Sequence, residues 1–515
     1  MPADEQRAVI DFLSRPEAYG EGPVERIDTH GAVVFLVGRR AYKLKRAVRF
    51  PYMDYSTVER RRVMCEAELT LNRRTAPMLY EAVAPVTREG KRFRIGGTGD
   101  PVDWLVVMRR FDQAGLFDRL AEEGALTPAL IQVLAAEIAA FHARAERRAD
   151  YGGGAGMAWV IDGNRTGFGE AQFAPAARAA AQRFDAGCRA ALARVAPLLD
   201  VRRADGLVRH CHGDLHLRNI CLINGRPVLF DAIEFNEQVA CIDTLYDFAF
   251  LLMDLEFRDL RALGNLAFNA YLEHTRDCGG LAALPLFLAC RAGVKAQTWA
   301  AGARAQTDAA RSAALMAEAE ASVALGEKFL APPPARLVAI GGLSGTGKST
   351  VARQIAPALG AAPGAVVLRS DVLRKRLAGV DATTRLAPEA YTPETAKQVY
   401  DALTAAAQAV AASGHAVIVD AVFARPDERA AVEAAARTAG VAFTGLWLEA
   451  PAATLGERIA GRRGDASDAT VAVLRRQLTY DVGPIAWHRI DAAAEPGAVA
   501  ARAGAVVGSS VPHVR

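Results

Sequence analysis

Cysteine is scarce in this chain and poorly placed for chemistry. Seven cysteines are scattered through 515 residues and none stands in C-x-x-C spacing, which argues against a disulfide framework and against a zinc site. Long apolar runs are absent too. None reaches the roughly 18 residues a membrane span needs, so no membrane partner is expected. Neither sign of charge dominates: the formal net charge of +4 is small for this length, and Arg heavily outnumbers Lys without forming a long basic block. That balance makes a nucleic-acid partner unexpected without excluding it. The opening Met1-Pro2-Ala3-Asp4-Glu5-Gln6 lacks a basic stretch followed by an apolar core, so the expected location is cytoplasmic. No internal repeat is detectable.

What the chain does have is apolar content of 51%, enough for sizeable cores, and one phosphate-cradling motif. Gly342-Leu343-Ser344-Gly345-Thr346-Gly347-Lys348-Ser349-Thr350 fits G-x-x-x-x-G-K-[ST] and lies between an apolar strand, Leu337 to Ile340, and a helix expected over 351–359. Gly342, Gly345 and Gly347 let backbone N–H groups, with those of Thr346 and Thr350, close around a phosphate at the positive end of the helix. Lys348 reaches the β and γ oxygens, and the Ser349 hydroxyl suits Mg²⁺. A nucleoside triphosphate, ATP, is therefore an expected ligand, with Mg²⁺.

About 340 residues precede this motif, so a second large domain is expected. Its beginning reads as strands over 24–29, 32–37 and 41–45, with Gly38-Arg39-Arg40 as a turn. A helix over 56–74 and strands over 82–87, 92–95 and 104–108 follow. The text is then mostly helical to about Leu330, interrupted by a hairpin over 222–230 around Asn224-Gly225. Ala331-Pro332-Pro333-Pro334 cannot continue a helix and sets the boundary, giving domains 1–330 and 335–515. Beyond it, strands over 337–341, 365–370, 415–420 and 443–448 alternate with helices. The tract 405–412 is Ala-rich helix, and the whole is a parallel α/β fold.

The other constellation is His212-Gly213-Asp214-Leu215-His216-Leu217-Arg218-Asn219, followed after the hairpin by Val228-Leu229-Phe230-Asp231-Ala232-Ile233-Glu234. Phosphoryl transfer needs one carboxylate to orient and deprotonate the attacking hydroxyl, and an amide oxygen with a second carboxylate to hold Mg²⁺. Asp214 suits the first role, Asn219 and Asp231 the second. His212 and His216 read as hydrogen-bonding scaffold. The pattern H-G-D-x-H-x-x-N resembles the aminoglycoside and choline phosphotransferase branch of the protein-kinase-like superfamily. That resemblance, carried by motif order over about 20 to 325, implies an α+β fold with a small β-lobe and a larger helical lobe. It also implies a strand lysine paired with a helix glutamate on the α and β phosphates. Lys43 fits, with Ala41 on its face, and Lys45, on the same face, is its rival; Glu68 fits the glutamate. Asp247 is similar to the buried aspartate beside the catalytic loop of that family, and fits a helix-start aspartate equally. Two departures stand out. Thr29-His30-Gly31 lacks a multi-glycine phosphate loop, and Ala232-Ile233-Glu234 replaces the Phe-Gly of protein kinases. Arg218 stands where many antibiotic-modifying relatives carry a small residue, which leaves the acceptor open.

In the C-terminal part, Asp371 at the end of a strand suits a base and Arg374 an anion clamp. Asp420 suits the Mg²⁺ shell, and Arg458, Arg462 and Arg463 resemble a lid that screens the transferring phosphoryl group. This half is similar to the gluconate-kinase, zeta-toxin and polynucleotide-kinase-like group. Together the two resemblances imply a fused ATP-dependent phosphotransferase acting on hydroxyls of small polar metabolites. Two alternatives stand beside it: one half is a nucleotide-binding regulator without catalysis, or the C-terminal half is a polynucleotide 5′-hydroxyl kinase.

Overall fold

A computed structural model describes residues 3–20, 22–50, 53–90, 92–461 and 466–508. They fall into two compact units, Met1–Asp254 with Leu286–Glu327, and Leu255–Pro285 with Lys328–Arg515.

The first unit opens with a six-stranded antiparallel sheet. Its order is Val24–Asp28, Ala32–Val37, Arg40–Lys45, Asp100–Arg109, Tyr80–Glu89, Arg92–Ile95. Period-2 alternation divides its faces. Val33, Phe35, Leu44 and Leu105 pack with Val9 and Leu13 of the helix Ala3–Leu13, an element the sequence reading did not include. Val106 and Tyr80 pack on the other face with Cys65 of the helix Val58–Asn72. Lys43 lies opposite Val106 in the ladder, so Lys43 and Lys45 point toward that helix. Thr57 starts it by accepting a hydrogen bond from the Arg60 amide.

The rest of this unit is largely helical. It contains the hairpin Ile220–Ile223 with Arg226–Leu229, whose two turn residues Asn224 and Gly225 both have positive φ, 50° and 76°. Asn-Gly adopts that conformation readily, and the twist it imposes matches the strands it joins. The helix Thr244–Phe257 is buried on every side over its first eleven residues, which makes it the central helix of the unit.

The second unit is a five-stranded parallel sheet in the order Val366–Arg369, Val417–Asp420, Arg336–Gly341, Ala442–Glu449, His488–Asp491. Four of these strands match the expected ones. The fifth carries a single buried side chain, Ile490, and so leaves no apolar signature. At the opposite edge the helix Arg261–Thr275 covers Val366–Arg369. Asn269 accepts from the Val367 amide at 2.7 Å and donates to the Ala365 carbonyl at 3.1 Å, to which Asn265 also donates. Arg261 donates to the carbonyls of Pro357 and Gly360. A segment early in the chain thus completes the sheet edge of the late one. Among the described residues no helix is long and apolar enough to cross a membrane.

Candidate active sites

In the first unit the segment from Cys211 to Asn219 leaves the strand Val208–His210 and ends in a 3-10 turn, Leu217–Asn219. Asp214 and Asn219 meet there. The Asn219 Nδ2 donates to the Asp214 carboxylate at 2.8 Å and to its carbonyl at 2.9 Å, which leaves Asn219 Oδ1 as the atom available to a cation. His216 Nε2 stands 3.2 Å from the same carboxylate. Burial works against ionisation of Asp214, but His216 beside it, together with Arg291, outweighs it and holds the carboxyl well below its ordinary value. His212 Nε2 faces the Phe230 carbonyl at 2.9 Å, while its Nδ1 accepts from the Asp214 amide at 3.4 Å. That pattern fixes one neutral tautomer, and burial lowers the His212 pKa accordingly. Asp247 is fully buried in the first turn of its helix and accepts from the amides of His212 and Gly213 and from His142 Nε2. The buried trio His142, Cys211 and Asp247 is accounted for by these bonds and by a Cys211 Sγ contact to the Ile242 carbonyl.

The two candidate lysines share one partner. Lys43 Nζ lies 2.8 Å from Glu68 Oε1 and 2.6 Å from Asp231 Oδ1; Lys45 Nζ lies 2.5 Å from Glu68 Oε2 and also contacts Glu234. Tyr55 donates its hydroxyl to Glu234 at 2.6 Å. Burial opposes the charge on Glu68, yet the two ammonium groups bring its pKa down to about 2. Lys45 is sealed from water at 1% side-chain exposure, whereas Lys43 keeps 16% and touches Asp231, itself 43% exposed. Of the pair, Lys43 is therefore the one open to solvent. Asp231 has φ of +62°, a conformation aspartate tolerates, which turns its carboxylate out of the strand direction. Hard oxygen donors from Asn219 and Asp231 fit Mg²⁺. Sequence reasoning gave Glu234 no role, since its lysine partner is 189 residues away. Arg218 lies at the surface and donates to Asp118 at 3.2 Å.

In the second unit the strand Arg336–Gly341 runs into the phosphate loop and the helix Lys348–Ile355. Gly342 and Gly345 have φ of 135° and 89°, and a Cβ on either would stand 2.5 Å from the Leu448 carbonyl oxygen or 2.7 Å from that of Leu455. Only glycine fits both positions. Gly347 precedes the helix, Thr346 donates its hydroxyl to the Leu343 carbonyl, and the Thr350 amide donates to the Gly347 carbonyl. Lys348 Nζ folds onto the loop carbonyls of Gly342 and Leu343 at 2.8 and 3.0 Å. The Ser349 hydroxyl lies 2.5 Å from Asp420 Oδ2, and Arg369 Nε stands 3.4 Å from the same oxygen. A hydroxyl beside a carboxylate is a donor set that suits Mg²⁺. Burial and the nearby Asp420 push the Asp371 pKa up, against the opposing effects of Ser467, Arg369 and Lys348.

Arg374 stacks over Tyr391 at 5.0 Å and donates to the Ala390 carbonyl. Asp468 ties Lys375, the Leu386 amide and the Tyr391 hydroxyl together. Arg458 donates to the carbonyls of Ala492, Ala493 and Ala494, which engages it with the backbone after the last strand. Arg462 and Arg463 lie outside the described residues.

One chain thus joins a β-lobe lysine bridging a helix glutamate and Asp231, with a loop that pairs Asp214 and Asn219, to a glycine cradle with its lysine, serine and strand-end aspartate. That is the layout the sequence resemblances imply, an aminoglycoside-phosphotransferase-like unit and a P-loop unit in one chain. A family described as an AAA domain matches residues 337–481. The chain is 30% identical over 486 residues to the uncharacterized protein Rv2004c of Mycobacterium tuberculosis, covering 90% of this chain and 92% of that protein. It belongs to the same family as that mycobacterial protein. Among solved structures, a choline/ethanolamine kinase family protein from Mesorhizobium loti aligns at 16% identity with a TM-score of 0.39, over 64% of this chain and 98% of its own. The APS kinase CysC of Mycobacterium tuberculosis, in complex with AMPPNP and APS, aligns at 22% identity with a TM-score of 0.27, over 34% of this chain and 99% of its own.

Proposed function

We propose that the protein carries two ATP-dependent phosphotransfer sites, one in residues 1–330 and one in 335–515, each moving a γ-phosphoryl group to a hydroxyl of a small polar metabolite. The observation that carries this reading is the bridge made by Lys43 between Glu68 and Asp231. It ties the phosphate-gripping lysine to the metal-holding carboxylate. In the N-terminal site Asp214 orients the acceptor hydroxyl and takes its proton as the oxygen attacks. Lys43 holds the α and β phosphates, and Asn219 and Asp231 would hold Mg²⁺, which shields phosphate charge when bound. In the C-terminal site Asp371 receives the acceptor proton, Lys348 follows the transferring group, and Ser349 with Asp420 would hold Mg²⁺. Arg374 faces an anionic part of the acceptor. We place the protein in the cytoplasm, where ATP is supplied.

The test is ATP consumption over a panel of hydroxylated metabolites, with Asp214→Ala and Lys348→Ala made separately in the full chain. Each substitution is expected to abolish transfer to its own acceptors and spare the other's. Loss of all turnover in either single variant overturns two independent sites and favours a catalytic half with a nucleotide-binding regulator. Transfer by the C-terminal site to a 5′-hydroxyl oligonucleotide, in preference to every metabolite, would replace the metabolite reading there.

A further inference from the structure

The loop that carries Asp214 is held from behind by two aspartates of one helix. Asp247 and Asp254 stand seven residues apart on Thr244–Phe257, two turns, and so share a face. Asp247 takes the amides at the start of the loop, His212 and Gly213, at 3.1 and 2.9 Å. Asp254 Oδ2 takes the Leu217 amide at 3.1 Å, between Asp214 and Asn219.

Each aspartate is matched by a cation from the helix Leu284–Ala305, and these two cations are four residues apart, again on one face. Arg291 donates to the Gly213 carbonyl at 3.0 Å and to that of Tyr246 at 3.1 Å, with a guanidinium nitrogen 3.7 Å from Asp247. Lys295 Nζ lies 2.6 Å from Asp254 Oδ1 and 5.1 Å over the Trp299 ring. Exposure is 0% for both aspartates, 2% for Arg291 and 9% for Lys295. Buried ion pairs of this kind contribute little net stability relative to apolar side chains of equal volume. Their value lies in where they put the loop amides.

We propose that Asp254 and Lys295 are positioning residues of the N-terminal site. The ammonium aims the Asp254 carboxylate at the Leu217 amide. That bond fixes the peptide linking the base to the metal-holding amide, and so preserves the 2.8 Å contact between Asp214 and Asn219. The inference rests on the reading of Asp214 as the base.

The experiment uses the full chain carrying Lys348→Ala, in which ATP turnover reports the N-terminal site alone, with Asp214→Ala as its control. Lys295→Met is expected to lower kcat about tenfold to a hundredfold while the KM for ATP stays within about twofold, and Lys295→Arg to restore most of the loss. Lys295→Met also leaves Asp254 buried without its counter-charge, which lowers the stability of the unit, so amide hydrogen exchange across 212–219 should quicken by more than it does in the hairpin Ile220–Ile223 with Arg226–Leu229. Asp254→Asn keeps an acceptor for Leu217 without the charge and is expected to fall between parent and Lys295→Met in both readouts. Parent kcat with parent loop exchange in Lys295→Met overturns the positioning role; so does exchange that quickens evenly across the whole unit, which marks a stability role instead. Full turnover in Asp214→Ala overturns the base assignment separately, since exchange at the loop reports the Asp254 anchor without reference to activity.

Discussion

At Glu68 one carboxylate serves two ammonium groups, and the two lysines differ in what else they touch. Lys43 reaches the half-exposed Asp231, while Lys45 is enclosed with Glu234 and Tyr55. Their loss should therefore separate catalysis from folding. Lys43→Ala is expected to lower phosphotransfer at the N-terminal site about a hundredfold to a thousandfold, with a small change in stability. Lys45→Met leaves Glu234 and one oxygen of Glu68 buried without a counter-charge, so the first unit should lose about 3–5 kcal/mol. Urea unfolding of both variants beside a phosphotransfer assay checks this, and equal kinetic losses with equal stability would contradict the division of roles.

The sign of the pH dependence follows from the same carboxylate. Glu68 has a folded pKa of about 2, below its ordinary 4.5, so its contribution to stability is complete above pH 4.5 and is lost as pH falls through about 2. In acid unfolding followed by circular dichroism, Glu68→Gln should flatten the stability slope between those values; an unchanged slope would remove Glu68 from the acid limb. Asp371 runs the other way, raised by burial above 3.8. As a base it must be ionised, so kcat/KM for the C-terminal site, measured in Asp214→Ala protein, should fall on the acid side at a pH above 3.8 and not below it.

Among the elements, those with a local signature were legible. The Asn224-Gly225 turn and four parallel strands follow from patterns within a dozen residues, Asp214 and Asn219 meet within one short loop, and a single tight hairpin separates that loop from Asp231. What escaped was the edge strand His488–Asp491, which buries one side chain. The helix Arg261–Thr275 lies in the stretch expected to be helical, but its packing on a strand about 100 residues later in the chain leaves no local mark. That helix makes a prediction of its own. Asn269 is the acceptor for the Val367 amide, while the Ala365 carbonyl receives Asn265 as well, so Asn269→Leu, close in volume but without hydrogen bonds, leaves the amide unmet and should destabilise the second unit by about 1–3 kcal/mol. Thermal unfolding with and without added nucleotide, carried out in Lys43→Ala protein so that tight nucleotide binding is left to the second unit, identifies that unit, because ligand bound only to the folded form raises its transition. An unshifted transition would show that water replaces Asn269 at the edge.

On the scale of the whole molecule, two sites built on unlike principles share one polypeptide. The glycine cradle uses backbone N–H groups and a helix end, and its order along the chain is nearly its order in space, which is why the motif could be read directly. The proposed N-terminal site brings Lys43, Glu68 and Asp231 together from across almost 190 residues; only the loop from His212 to Asn219 was visible as a motif, and Lys43 and Lys45 differ in burial, which the sequence does not carry. Because the two arrangements share no residue, occupancy should be separable. Calorimetric titration of the full chain with the non-hydrolysable analogue AMPPNP and Mg²⁺ is expected to saturate at two equivalents. In Lys348→Ala the cradle loses the ammonium that meets the β and γ oxygens, and in Lys43→Ala the β-lobe loses the one that meets the α and β oxygens, so each should leave one tight equivalent and weaken the other about a hundredfold. Saturation at a single equivalent in the parent, abolished by either substitution, would mean that one composite site had been mistaken for two.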